Sequence, residues 1–71
     1  MHVDELMTTA EVAALLKVPV GTLRQWRHRG YGPRSFALGA GVRYRRAVVD
    51  AWVTERERAE NERRPAGVGA A

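Results

Sequence analysis

The strongest constraint on this fold is a break at Val18-Pro19 between two short helical patterns. The ring of Pro19 pushes Val18 out of the helical region, so a helix arriving from the N-terminal side must stop near Lys17. Proline also suits the first turn of a helix, so a second one from about Pro19 to Arg29 can start at once, closed by Gly30. The chain is therefore committed early to two helices and a tight turn.

Thr8-Thr9-Ala10-Glu11 reads as a reciprocal cap for the first helix, with Thr8 accepting from the Glu11 N–H and Glu11 reaching back to Thr8. Met7 and Val12 fall at the two apolar positions that staple such a start. Val12, Leu15 and Leu16 then repeat at helical spacing beside Ala13, which predicts a helix over about Thr9 to Leu16 with one buried stripe. Lys17 follows at the end where a cation suits the helix dipole.

At 100° per residue the second helix sorts into two arcs. Pro19, Leu23 and Trp26 share the arc expected to face the core, while Gly21, Arg24, Gln25 and His28 share the opposite one. Val20, Thr22, Arg27 and Arg29 flank that outer arc. Arg24 and Gln25 carry the hydrogen-bonding groups that read base edges, and Gly21 lets the backbone approach a partner closely. Two tightly joined helices, the second with a polar, basic outer face, form a helix-turn-helix.

Beyond the turn Tyr31-Gly32-Pro33, two strand patterns flank the tip Gly39-Ala40-Gly41. Phe36 and Leu38 share a face of the first; Val42 and Tyr44 share a face of the second, leaving Arg43 and Arg45 on the other. A lone hairpin is marginal in water, so it must pack on the helices as a wing. Its arginines and small tip suit the minor groove or its phosphates. Val48, Val49, Trp52 and Val53 predict a third helix from about Arg46 to Arg58 or beyond, with Trp26 and Trp52 as core anchors. The expected fold is thus small and mainly α (α+β): a winged helix-turn-helix of three helices and a two-stranded β-hairpin wing. Residues 1–6 read as an N-terminal arm in which Val3 and Leu6 lack a local partner. Residues 7–58 read as the folded domain, and 59–71 as a charged helical extension and disordered tail.

Charge placement agrees with this division. The stretch from Lys17 to Arg46 holds eight of the twelve basic residues (Lys17, Arg24, Arg27, Arg29, Arg34, Arg43, Arg45 and Arg46) and no Asp or Glu. The rest of the chain has four basic and eight acidic residues, so the net +4 conceals a centre of +8 between flanks of −4. A charge run is commonly just a solvated surface. Here aromatic residues interleave it and it follows a folded pattern, which favours a polyanion-binding face. A chain of 71 residues has room for only one small core, too little for most deep active sites. No catalytic constellation emerges. The glutamates of Glu55 to Arg64 alternate with arginine on a solvated face, with Arg56–Glu60 and Glu60–Arg64 at i, i+4 spacing. Ser35 lacks a nearby histidine, and Gly39-Ala40-Gly41 lacks the Lys-Ser/Thr that follows in a phosphate loop. Without cysteine, and with His2 and His28 far apart, neither a metal site nor another cofactor is expected. There is no apolar run of membrane-spanning length, and Asp4 and Glu5 stand where a signal peptide would carry lysine, so a cytoplasmic location is expected.

The order Met7-Thr8-Thr9-Ala10-Glu11-Val12-Ala13-Ala14-Leu15-Leu16, Thr22-Leu23-Arg24-Gln25-Trp26, Gly30, Gly41-Val42-Arg43-Tyr44-Arg45-Arg46 and Asp50-Ala51-Trp52-Val53 resembles the excisionase-type winged helix-turn-helix family. That family is itself similar to the DNA-binding domains of mercury-resistance-type regulators. The resemblance covers about Leu6 to Glu55. It implies a non-enzymatic protein that binds and bends attachment-site DNA cooperatively with copies of itself and directs a tyrosine integrase toward excision, working at the nucleoid without a small-molecule effector. It also implies a recognition helix reading the major groove through Gly21, Thr22, Arg24, Gln25 and His28. Lys17, Arg27 and Arg29 would hold phosphates, and Arg43 and Arg45 would enter the minor groove. Two helix starts depart from the family pattern: Pro19 stands where Ser is common, and Ala47-Val48 where Ser-Asp is frequent. A small transcriptional regulator shares every one of these features. A protein-interaction module, such as an antitoxin-like subunit, would use the same basic face for a protein.

Overall fold

The structure, a computed structural model, describes residues 4–63. His2 and Val3 of the expected arm, Arg64 with its expected pairing to Glu60, and the expected tail beyond it lie outside the described residues. The elements run β1 (Leu6–Thr8), α1 (Thr9–Leu16), α2 (Val20–His28), β2 (Ser35–Leu38), β3 (Gly41–Arg45) and α3 (Arg46–Arg63). This is a winged helix-turn-helix of three helices and an antiparallel sheet.

The predicted cap forms at α1. The Thr8 hydroxyl accepts from the Glu11 N–H at 3.1 Å, and the Glu11 carboxylate accepts from the Thr8 N–H at 2.8 Å. At the other end Lys17 adopts a left-handed conformation (φ 60°), and the Val18 and Lys17 N–H groups donate back to the Ala13 and Ala14 carbonyls at 3.0 and 3.2 Å. This double bond satisfies carbonyls that α1 leaves open and turns the chain sharply. Pro19 is extended (φ −62°, ψ 148°) and offers no side-chain cap, so α2 starts one residue later than the sequence suggests, at Val20.

The wing is the main departure from expectation. The sheet has three strands, in the order β1-β3-β2, not two. β1 pairs with β3 through Leu6↔Arg45, Met7↔Tyr44 and Thr8↔Arg43, so β3 is bonded on both edges. A third strand gives the hairpin the support that a two-stranded ribbon lacks. It also gives Met7 two roles, flanking the cap of α1 and facing the core from the sheet.

Just before β1, Asp4 and Glu5 tie onto the start of α3. The Asp4 carboxylate accepts from the Ala47 N–H at 2.9 Å, and the Glu5 carbonyl accepts from the Arg46 N–H at 2.8 Å. The cap missing from the local sequence of α3 is thereby supplied from 43 residues away.

Met7, Val12, Ala13, Leu23, Tyr44 and Val49 make the buried core, with Leu16, Val18, Val20, Trp26 and Val42 packed around it. Leu15, on the stripe that periodicity predicts to be buried, and Val48 and Val53, at helical spacing on α3, are exposed. Each lies on the shoulder of its stripe, and the core is too small to cover shoulders. On β2 it is Phe36 and Leu38 that face out, because their partners in the register are Arg43 and Gly41, while Ser35 lies opposite the buried Tyr44. The two tryptophans are half-buried rather than central. Trp26, Tyr31 and Trp52 form a triangle with ring centroids 5.2–5.7 Å apart, two of the contacts edge-on. Gly32, at φ 92°, lies against this triangle; a Cβ there would come within 3.1 Å of the Trp26 ring.

Candidate nucleic-acid interface

Leu23 is buried and holds α2 by one side. The helical repeat then forces residues 21, 24, 25 and 28 outward. Arg24, Gln25 and His28 are exposed and, with Arg29, line one open concavity along the outer side of α2. Their side chains make no hydrogen bond or ion pair among the described residues. Gly21 is exposed, with open space where a Cβ would stand, while Thr22 is half-buried at the edge of this surface. Five groups expected at base edges thus lie along one helix, four of them on its open side.

The remaining basic residues separate into distinct situations. Lys17 is exposed at the bend between α1 and α2, and Arg29 is exposed at the α2 C-terminus. Arg27 is half-buried and acts as a strut: one Nη1 donates long hydrogen bonds to the Thr9 hydroxyl (3.3 Å) and the Tyr44 hydroxyl (3.4 Å), linking α2 to α1 and β3. Its place beside the outer arc on the helical wheel carried no sign of this. Arg43 folds along the wing and donates to the Val42 carbonyl at 3.0 Å. Arg45 sits at the α3 end of β3, not at the tip, 3.7 Å from the Asp4 carboxylate and 5.8 Å above the centre of the Phe36 ring. Arg46 pairs with Asp50 at 3.0 Å and with Glu5 at 3.8 Å. The acid-free block therefore keeps six cations without a carboxylate partner among the described residues, and two neutralised at its edge by groups outside it.

The concavity along α2 is open and shallow-walled, lined by hydrogen-bonding side chains rather than by a reacting pair. No group of three or more His, Cys, Asp or Glu suited to a metal occurs among the described residues. No helix among them is long and apolar enough to cross a membrane. A cationic helix face projecting from a tight helix pair, with a sheet beside it, defines the winged helix-turn-helix class. Residues 6–57 match the family described as a helix-turn-helix domain, and the chain belongs to this family of DNA-binding domains. No curated protein and no solved structure matches the chain.

Proposed function

We propose that the protein binds double-stranded DNA sequence-specifically, with α2 in the major groove and the β2–β3 wing along the adjacent minor groove. The observation that carries this reading is the outer side of α2, where Arg24, Gln25, His28 and Arg29 share one open surface with no partner of their own. Gln25 and Arg24 supply base-edge contacts, His28 and Thr22 border them, and Gly21 permits close approach. Lys17, Arg27 and Arg29 hold phosphates, and Arg43 and Arg45 work from the wing. In its finer form the proposal is an excisionase-type role. Copies bind cooperatively at attachment-site DNA, bend it, and direct a tyrosine integrase toward excision, with no catalytic step of their own. The ordered resemblance from Leu6 to Glu55 supports that form.

A gel-shift titration on attachment-site DNA beside the nearest integrase gene, against a scrambled duplex, tests both levels. A ladder of site-selective complexes with altered mobility is expected. The logarithm of affinity should fall with log salt at a slope of about −3 to −5 per protomer. A single complex confined to a promoter operator would replace the excisionase role with that of a transcriptional regulator. A slope near zero on duplex DNA would remove the DNA reading and turn attention to protein partners.

A further inference from the structure

Between the end of α2 and the start of β2 the chain bends through Gly30, Tyr31, Gly32 and Pro33. The bend leaves a polar cavity of about 290 Å³ that Arg27, Arg34 and Ser35 help to line. Arg27 lines it, and its Nη1 donates long hydrogen bonds to the Thr9 and Tyr44 hydroxyls. Both acceptors are neutral. A guanidinium stays charged at any pH a protein survives, and a half-buried charge satisfied only by neutral acceptors favours an anion nearby. None is supplied internally: neither Arg27 nor Arg34 has an ion pair among the described residues, although ion pairs engage Arg45 and the described arginines of α3, from Arg46 to Arg63. Ser35 adds a hydroxyl donor from the first residue of the wing.

Two uncompensated guanidinium groups and a hydroxyl around a polar hollow match a tetrahedral oxyanion, and Arg is the side chain best shaped to hold one. We infer that this cavity seats one backbone phosphate of duplex DNA. Arg27 is the cation from the recognition helix, and Arg34 and Ser35 close on the same phosphate from the wing. The inference rests on the DNA-binding reading and gives it a hinge point. One phosphate gripped from both elements fixes the angle between α2 and the wing on the duplex, which sets register without reading sequence. Arg34, which had no role in the sequence pattern beyond its charge, becomes a positioning residue.

The test is salt-dependent binding to a short random-sequence duplex by the wild type, Arg34→Gln, Arg34→Lys, and the pair Arg27→Gln with Arg27→Gln/Arg34→Gln. Arg34→Gln should make the slope shallower by about 0.9, and Arg34→Lys should restore most of it. If both arginines serve one phosphate, the double variant loses about one contact, not two. Circular dichroism checks that Arg27→Gln folds; Arg34 is exposed, so its variants carry the test alone if it does not. A steep wild-type slope unchanged in Arg34→Gln would overturn the cavity assignment and leave DNA binding standing. A flat wild-type slope would overturn both. Inorganic phosphate, titrated while the Arg27 and Arg34 Nε–H signals are followed by NMR, separates the sources. Tight, Arg34-dependent binding of free phosphate with no change in DNA slope would mark a small-anion site and overturn the assignment to the duplex.

Discussion

The same side chain does opposite work in the middle of this protein and at its end. Along α3, Arg58 is bound by Glu55 and, at 2.6 Å, by Glu62; Arg63 lies 3.3 Å and Arg56 4.0 Å from Glu60. The hydrogen bonds that Arg58 donates to Glu55, and then the charge of Glu55, raise the pKa of the Arg58 guanidinium above its ordinary value, with a smaller push from Glu62. On α2 and the turn after it, Arg24, Arg29 and Arg34 are exposed but have no carboxylate partner among the described residues. Exposed ion pairs contribute little to stability, so the α3 arginines chiefly keep a projecting helix soluble and self-neutral. Arg24, Arg29 and Arg34 make no hydrogen bond or ion pair among the described residues and remain available to a polyanion. Local sequence goes far to separate the two cases: arginine spaced three or four residues from glutamate pairs along its own helix, whereas in the acid-free stretch only Arg45 and Arg46, at its edge, reach a carboxylate.

Exchanging the arginines of the two regions for glutamine is the largest test. Arg24, Arg29 and Arg34→Gln together should make the salt slope on duplex DNA shallower by about 2–3, with the melting temperature nearly unchanged. The matching triple at Arg56, Arg58 and Arg63 should leave the slope alone and lower the melting temperature only slightly. Equal loss of binding from both triples would erase the distinction. Gln25→Ala sharpens it within α2 by separating reading from gripping. Site preference should weaken by about 1–3 kcal/mol at one base pair, with affinity for scrambled DNA unchanged. Binding to variant duplexes checks this.

Asp4→Ala probes the boundary between the two regions, where acid from outside neutralises the edge of the basic block. It removes the cap from α3, so thermal or urea unfolding should show a loss of about 1 kcal/mol. It also frees Arg45, so affinity for DNA should rise and the salt slope steepen by up to about 0.9. Lys17→Gly has the smallest expected effect, again with opposite signs. Relief of the left-handed conformation should stabilise the fold by about 0.5–1 kcal/mol, while loss of the cation makes the slope shallower by about 0.9. A Lys17→Gly protein that is more stable but binds no worse would show that this lysine holds no phosphate.

What could be read from the sequence was local or periodic. Thr8 and Glu11 announce their mutual cap because they are three residues apart, Leu23 follows from a wheel, and the outward side of Arg43 and Arg45 follows from strand alternation. The same wheel placed Arg24, Gln25 and His28 on one face. What stayed hidden depends on distant pairing. β1 is three residues long, too short to show alternation, and exists because Met7 meets Tyr44 across the chain. Asp4 as the cap of Ala47, and Arg27 as a strut between two hydroxyls, leave no local trace. The exposure of Leu15, Val48 and Val53 stayed hidden for a different reason. Periodicity gives the direction of a stripe, not its buried width, and that width depends on how much core there is to meet it.

β3 ends at Arg45 and α3 begins at Arg46, with no residue between them. Wing and helix are therefore joined directly, and α3 is a long arm on that joint: 18 residues, or about 27 Å at 1.5 Å each. A tilt of about 10° at the root would swing the far end of such a helix through about 5 Å. A small change in the setting of the wing is thereby carried, enlarged, to the Arg63 end of the helix.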